Sequence, residues 1–363
     1  METAKLLKQL TEARGPSGYE AEIREIVREQ FGQYADETCI DTLGNVIALK
    51  RGEGPEPRPT VMLAGHMDEI GLMVKQIEKG FLHITTVGGF DPRVLLGQQV
   101  IVHGRQELPG VIVSVPPHFT DPAEQEKTLP LDKLFIDVGL PPERVEALVR
   151  VGDLITVHSN YLELSGGWAA GKAMDDRTAV AAIAICLEGL TRVKHQWDVY
   201  AVATVQVEVG HFGAITSAYD LRPTVGIAID VTFGHQPGLP ESETDKMGKG
   251  PSIAFGPNIH PQVFNGLVTA AKAMELPHQI EPVPGRTGTD TWDIQVSRSG
   301  VPTGLLGIPL RYMHTAVETV VLQDVERTGR LLASFIARLD DDFFDALTWK
   351  PRSKKESEGE EAA

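Results

Sequence analysis

Residues 177–208 read RTAVAAIAICLEGLTRVKHQWDVYAVATVQVE, and this stretch decides the fold class. Its first half, residues 177–193, has the pattern of a helix, and residues 198–208 form an apolar, Val-rich run typical of a buried strand. The same alternation of strands and helices recurs downstream, at residues 224–230, 260–276, 303–310 and 322–347. Strands that alternate with helices predict a layered α/β domain.

A different pattern interrupts this alternation between Glu69 and Leu164. Short apolar or alternating runs are separated there by Gly, Pro and Asp, which is typical of a small β-barrel or sandwich. We therefore predict an α/β domain built from residues 1–68 and 165–349, with residues 69–164 inserted as a β-rich domain. The charged segment 350–363 has no apolar face, and we expect it to be disordered.

The composition excludes several classes of partner. The chain has 363 residues and a net charge of −16, and it has no cluster of Lys and Arg that would favour nucleic acid or an anionic membrane. Its two cysteines, Cys39 and Cys186, support neither a disulfide framework nor a zinc knuckle. The first residues read as an amphipathic helix without a signal peptide's apolar region, so we expect a cytoplasmic protein.

Histidines and acids gather where apolar segments end. His66 and Asp68 lie two apart on a strand and face the same side, so that the carboxylate could orient the imidazole of a metal ligand. Asp175 and Asp176 directly precede a helix. Three further side chains follow apolar strands, namely Glu208, Asp230 and His314. Each site alone has an ordinary structural explanation, such as a helix cap or a solvated charge.

Taken together, these side chains favour a dinuclear metal site. Two histidines and three carboxylates stand at the ends of separate α/β segments, and no cysteine competes with them. Such a set suits two divalent ions such as Zn or Co, held about 3.5–4 Å apart and bridged by one carboxylate. The ions would lower the pKa of a shared water and polarise a carbonyl.

The motifs that carry these residues resemble one known family. GPSGYE, DTLGNVIA, AGHMDEIGLMV, LFIDVG, GKAMDDR, VGHFGA, AIDVT, GTDT and GVPTGLLGIPLRYMHTAVE occur in order between Leu6 and Leu347. They are similar to the tetrahedral (TET) aminopeptidases, cytosolic dinuclear metallopeptidases that also carry glutamyl aminopeptidase and endoglucanase-M-like labels. The resemblance implies a layered α/β/α metallopeptidase domain with an inserted, barrel-like dimerisation domain. It also implies dimers that assemble into a hollow tetrahedral dodecamer and act on peptides.

The resemblance also implies roles for the site residues. His66 would bind the first metal with Asp68 orienting it, and Asp230 would complete that shell. Asp175 would bridge the two ions, and its peptide bond to Asp176 is expected to be cis. The second metal would be bound by Glu208 and His314.

One position departs from the family. Members read Gln-Glu-Glu where this chain reads Gln206-Val207-Glu208, so the metal ligand is kept and the general base is lost. The next residues differ as well, since His211 and Phe212 replace an aliphatic residue and an Arg. Valine cannot carry a proton, and the loss of a general base typically costs about 10²–10⁴-fold in rate.

Three interpretations of this departure stay open. The chain is a slow aminopeptidase that relies on its metals, or it uses a substitute base, for which His211 is the nearest candidate. Alternatively, it is a non-catalytic homologue that holds metals and binds peptides or assembles. A glycosidase would need two free carboxylates on either side of the sugar, whereas the acidic residues here are better explained as metal ligands.

Overall fold

The computed structural model describes residues 2–119 and 128–348. It confirms the predicted fold class, because helices flank a large mixed sheet and a separate group of strands closes into a six-stranded barrel. The predicted tail, residues 350–363, lies outside the described residues. Within the described ranges, none of the helices is long and apolar enough to span a bilayer.

The strands divide between the sheet and the barrel. The sheet has the order β1-β2-β12-β3-β13-β16-β17-β11-β10, with β14 and β15 branching from β16. The strands of the sheet are β1 (Glu37–Ile40), β2 (Val46–Lys50), β3 (Thr60–His66), β10 (Leu162–Leu164), β11 (Trp168–Gly171), β12 (Asp198–Thr204), β13 (Val225–Phe233), β14 (Ser252–Phe255), β15 (Gln279–Pro282), β16 (Thr303–Arg311) and β17 (Glu318–Val321). The barrel strands are β4 (Gly71–Glu78), β5 (Phe81–Val87), β6 (Gln99–His103), β7 (Glu107–Ser114), β8 (Leu134–Asp137) and β9 (Leu154–Val157).

The helices are α1 (Thr3–Glu12), α2 (Ala21–Gly32), α3 (Pro142–Leu148), α4 (Met174–Leu190), α5 (Phe212–Leu221), α6 (Pro261–Ala273), α7 (Asp290–Gln295), α8 (Leu322–Ile336) and α9 (Asp341–Ala346). They cover the sheet, apart from α3, whose Val145 is buried in the apolar core of the barrel. Helix α4 is buried along almost its whole length, because it lies between the sheet and the helices α1 and α8. Its Ala-rich sequence suits that position, since a helix that is apolar all round belongs in a core.

The four central strands β12, β3, β13 and β16 run parallel to one another. Their burial on both faces explains why the sequence reads there as continuous apolar runs rather than as an alternating pattern. Their carboxyl ends lie at one edge of the sheet, which is where open α/β sheets bind ligands.

The barrel strands fall within the predicted insertion. They pair antiparallel in the order β4-β5-β8-β7-β6-β9 and close through β9 and β4. The barrel has an apolar core of its own, with Leu72, Val100, Ile112, Ile136 and Ile155 fully buried or nearly so. The last three residues of the predicted insertion, 162–164, instead form β10, which pairs with β11 at the edge of the large sheet.

Three element ends differ from the predictions. Strand β12 ends at Thr204 rather than at Glu208, because Gln206 adopts a left-handed φ of 57° and the chain turns away. Strand β13 continues beyond Asp230 to Phe233, since it stays paired with β16 to that point. The closing helix is two helices, because the Asp340 side chain accepts a hydrogen bond from Phe343 N at 2.9 Å and caps a new one.

A buried ionic cluster joins the N-terminal segment to the sheet. Glu69 accepts hydrogen bonds from Lys172 Nζ at 2.7 Å and from Arg177 Nη2 at 3.2 Å. It also accepts one from Gly15 N at 3.0 Å, while Lys172 and Arg177 both donate to the carbonyl oxygen of Ala13. All three ionic side chains are buried, so each charge depends on the others.

Replacing Glu69 by alanine is expected to lower the free energy of unfolding by about 3–5 kcal/mol, because two buried cations lose their counter-charge. Denaturant unfolding of the metal-free protein measures this. The matched control is Glu53→Ala, which removes an exposed pair with Lys194 and should change the stability far less, because solvent screens exposed ion pairs. Equal effects of the two substitutions would contradict the assignment.

Candidate metal centre

The predicted metal ligands converge at the carboxyl edge of the sheet. His66 is the last residue of β3, and Asp230 lies near the end of the neighbouring β13. Asp175 lies at the start of α4, before its regular helical turns begin. Glu208 lies in the turn after β12, and His314 lies in the loop after β16. Parallel neighbours thus bring together residues that are far apart in the sequence.

These side chains form two groups that share Asp175. In the first, His66 Nε2 lies 3.1 Å from Asp175 Oδ1, and an oxygen of Asp230 lies within 4.8 Å of the ligand atoms of both. In the second, His314 Nε2 lies 3.3 Å from Asp175 Oδ2 and 3.7 Å from Glu208 Oε2. The two oxygens of one carboxylate therefore face two different groups of potential ligands.

The charges of the site suit cations. Asp175, Asp230 and Glu208 crowd around two imidazoles, and Asp176 adds a fourth carboxylate. Burial, with repulsion from Asp175, raises the pKa of Asp230 well above its usual range and that of Glu208 to about 7. The hydrogen bond to Asp175 raises the pKa of His314 to about 9. Divalent cations would relieve this repulsion, and the nitrogen and oxygen donors suit Zn, Co or Mn.

The peptide bond between Asp175 and Asp176 is cis, which confirms the expectation from the resemblance. Within residues 2–119 and 128–348, no backbone N–H donates to the Asp175 carboxylate, whereas Asp176 Oδ2 accepts a hydrogen bond from His66 N at 3.2 Å. The other oxygen of Asp176, Oδ1, is buried and has no hydrogen-bond partner in the same ranges. Asp176 thus holds the end of β3 in place beside the shared carboxylate.

Asp68 contacts His66 through its main chain and through its carboxylate. His66 Nδ1 lies 3.1 Å from the main-chain carbonyl oxygen of Asp68 and 3.4 Å from its carboxylate. That carboxylate also accepts hydrogen bonds from the Ser17 hydroxyl, from Val207 N at 3.1 Å and from Glu208 N at 3.2 Å. Asp68 therefore orients His66 and holds the turn that carries Glu208.

Glu318 supports the site by hydrogen bonds to the backbone of two proposed ligands, and it was not singled out from the sequence. Its Oε2 accepts a hydrogen bond from Asp175 N at 3.0 Å, and its Oε1 accepts one from His314 N at 2.7 Å. The side chain is buried at the start of β17. A charged residue that opens the otherwise apolar run ETVV, four residues after His314, is the sequence signal that could have found it.

Replacing Glu318 by glutamine is expected to weaken metal affinity by about 10–100-fold, the usual effect of losing a partner that orients the ligands. The amide keeps the size of the side chain, but it has only one acceptor for two backbone N–H groups. Competition for zinc with a calibrated chelator measures the change. Glu326→Gln is the control, because the Glu326 side chain accepts a hydrogen bond from Thr3 Oγ1 at 2.8 Å and is not one of the proposed ligands or their supports. Unchanged zinc affinity in the Glu318 variant would refute the supporting role.

The site opens into a cleft of about 660 Å³. Val207 lines this cleft as a residue that is 7% exposed, at the position where the resemblance expects a general base. Its backbone N–H donates to Asp68, so the turn is held although the side chain is apolar. His211 lines the same cleft, on the far side of the turn.

Comparisons with known proteins agree with this architecture. A family profile described as M42 glutamyl aminopeptidase matches residues 44–331. Lysyl aminopeptidase of Pyrococcus furiosus is 38% identical over 340 residues, which is 92% of this chain and 96% of that protein. Glutamyl aminopeptidase of Lactococcus lactis is 28% identical over 94% of this chain and 97% of its own length.

Solved structures give the same result. A TET aminopeptidase from a marine sediment Thaumarchaeota archaeon superposes with a TM-score of 0.90 at 34% identity, covering 96% of this chain and all of that one. The Pyrococcus horikoshii TET1 peptidase, described as assembling into a tetrahedron or a large octahedral shell, gives a TM-score of 0.81 at 29% identity. It covers 93% of this chain and all of its own.

Proposed function

The chain belongs to the M42 glutamyl aminopeptidase family, and we propose on that premise that it removes N-terminal residues from peptides with metal-activated water. The observation that carries the proposal is the position of Asp175, whose two oxygens face two separate groups of metal-ligand side chains. His66 and Asp230 would hold one divalent ion, and Glu208 and His314 would hold the other. Zinc and cobalt suit these ligands best.

The cleft supports a peptide substrate. The two metals would lower the pKa of a water and polarise the scissile carbonyl. The chain's own part is to orient the ligands through Asp68 and Glu318 and to provide a cleft of about 660 Å³ beside them. That volume lies within the range of small-molecule and peptide-end sites.

We further propose that hydrolysis by this chain is slow. Val207 has no group that can take a proton from the attacking water, and a positioned base typically contributes about 10²–10⁴-fold. The same residue supports a second candidate function, namely a non-catalytic homologue that holds metals and binds peptides or assembles. The two candidates predict the same metal content and differ in turnover.

Hydrolysis of aminoacyl-p-nitroanilides by the zinc- or cobalt-loaded protein separates them. A panel of acidic, basic and aliphatic residues should include one that is released, and removing the metal with a chelator should stop the release. Metal-loaded protein that hydrolyses none of the panel, and no short peptide, would refute the peptidase and favour the non-catalytic candidate.

We also propose that the chain assembles as its relatives do, into dimers through the barrel and from them into a tetrahedral dodecamer. Support comes from the Pyrococcus horikoshii TET1 peptidase, whose description names tetrahedral and octahedral assemblies. The mass of the protein in solution, measured by light scattering, tests the dodecamer. A monomeric mass at micromolar concentration would contradict it. The cytoplasmic location stays a prediction from the sequence.

A further inference from the structure

Three buried polar atoms that have no hydrogen-bond partner among the described residues lie close together beside the cleft. They are His211 Nδ1, Asp290 Oδ1 and Asp293 Oδ2. His211 Nδ1 lies 3.5 Å from the Asp293 oxygen and 3.8 Å from the Asp290 oxygen. Buried polar groups in native proteins are almost always satisfied, so three such atoms at one point need an explanation.

The surroundings hold this cluster in place. Asp290 and Asp293 are one turn apart on α7, and Asp290 Oδ2 accepts a hydrogen bond from Thr204 Oγ1 at 2.7 Å. His211 stands immediately before α5 with a left-handed φ of 57°, a conformation that β-carbon-bearing residues rarely adopt and that often marks functional positions. Its N–H donates to the carbonyl of Val207 at 3.3 Å, so the turn brings His211 back towards residue 207.

The imidazole of His211 is partly accessible from the cleft that holds the proposed reaction site. The His211 side chain is 13% exposed, and it lines the cleft together with His66, Asp175 and Glu208. When Nδ1 carries the proton and points at the two carboxylates, Nε2 carries the free lone pair. Burial lowers the pKa of His211, which keeps the imidazole neutral and able to accept a proton near pH 7.

We propose that His211, placed beside Asp290 and Asp293, accepts the proton of the attacking water, which Val207 cannot accept. The inference rests on the proposed peptidase function. As the water oxygen bonds to the scissile carbonyl carbon, the water O–H bond breaks and its proton passes to His211 Nε2. The proton then passes to the leaving nitrogen as the carbon–nitrogen bond breaks, which returns His211 to its neutral form.

Several charged groups surround His211 and set the pH at which it works. Asp293 favours the protonated ring, and so does Asp68 at the end of β3, whereas Arg286 and His66 oppose it. Neutralising Asp293 should therefore lower the pKa of His211. Because a base must be unprotonated, activity rises with pH through that pKa, and the acidic limb of the pH profile should move to lower pH in Asp293→Asn.

The test compares His211→Gln with His278→Gln in the metal-loaded protein. His278 donates from Nδ1 to the carbonyl of Leu276 at 2.9 Å, and it is not among the residues that line the cleft. We expect His211→Gln to lower kcat by about 10²-fold and to abolish the limb that Asp293→Asn shifts. His278→Gln should change neither. Metal content and the thermal midpoint should be unchanged in all variants, which separates a lost proton carrier from a lost ligand or a damaged fold.

The Val207→Glu background gives an independent check. A carboxylate at position 207 would make His211 redundant, so His211→Gln in that background should cost less than about threefold. An unchanged pH profile and rate in His211→Gln alone would overturn the inference and leave the peptidase function standing. Turnover by Val207→Glu with none by the wild-type chain would also overturn it. Turnover by neither chain would refute the peptidase function and this inference with it.

Discussion

Replacement of Asp175 by asparagine is expected to lower hydrolysis of aminoacyl-p-nitroanilides by about 10³-fold or more. Metal ions contribute several kcal/mol of transition-state stabilisation in hydrolytic sites, and each 1.4 kcal/mol corresponds to a factor of ten in rate. Asp175 is the one side chain shared by the two groups of potential ligands in the described residues. Its loss should therefore affect both ions, whereas the loss of any other ligand affects one.

Metal content distinguishes this effect from a folding defect. We expect the bound metal to fall from two ions per chain to one or fewer in Asp175→Asn, measured by elemental analysis after gel filtration. Asp341→Asn, in the exposed first turn of α9, is the matched control and should keep both ions and full activity. Two tightly bound ions in the Asp175 variant would show that Asp175 does not bridge them.

Replacement of Val207 by glutamate is expected to raise kcat by up to about 10²-fold, because a positioned general base contributes about 10²–10⁴-fold and His211 would already supply about 10²-fold of this. The side chain at this position lines the cleft beside Glu208, and its backbone is held by Asp68, so a longer side chain can extend towards the site. Burial and the neighbouring carboxylates would raise the pKa of the new glutamate, which suits a base that works near neutral pH.

Val207→Gln is the control for this substitution. Glutamine has the size of glutamate without its charge, so any gain from shape or solvation alone would appear in both variants. We expect the gain in Val207→Glu only, with the metal content of both variants unchanged. Equal turnover by the wild-type chain and Val207→Glu would contradict the idea that position 207 limits the rate.

The sequence was sufficient for the architecture because the signals are long. The Ala-rich helix α4 and the Val-rich strand β12 differ clearly in composition, and the four parallel strands all read as continuous apolar runs. The short Gly- and Pro-punctuated runs between residues 69 and 164 indicated the barrel for the same reason. Patterns that extend over many residues tolerate errors at single positions.

The ends of elements were predicted less well, because single residues decide them. Gln206 leaves the strand through a left-handed conformation, which placed Glu208 in a turn instead of on β12. Asp340 caps a new helix within what reads as one amphipathic pattern. Neither feature changes the apolar periodicity of the sequence, because a turn residue and a helix cap act through local hydrogen bonds.

The sequence predicted that the five proposed ligands lie together, but it did not predict the side chains that support them. His66, Asp175, Glu208, Asp230 and His314 meet as expected, because strand ends gather at one edge of the sheet. Glu318 holds two of them through backbone N–H groups, and the Asp68 carboxylate holds the turn of Glu208 as well as contacting His66. Contacts to backbone atoms depend on the folded geometry, so residue types alone did not reveal them.

Anomalous diffraction from crystals of the zinc-loaded protein tests the central claim most directly. The account predicts two zinc peaks per chain, one contacting His66 and Asp230, the other contacting Glu208 and His314, and both contacting Asp175. No peak among these residues, or a single peak that leaves Asp175 uncoordinated, would contradict it.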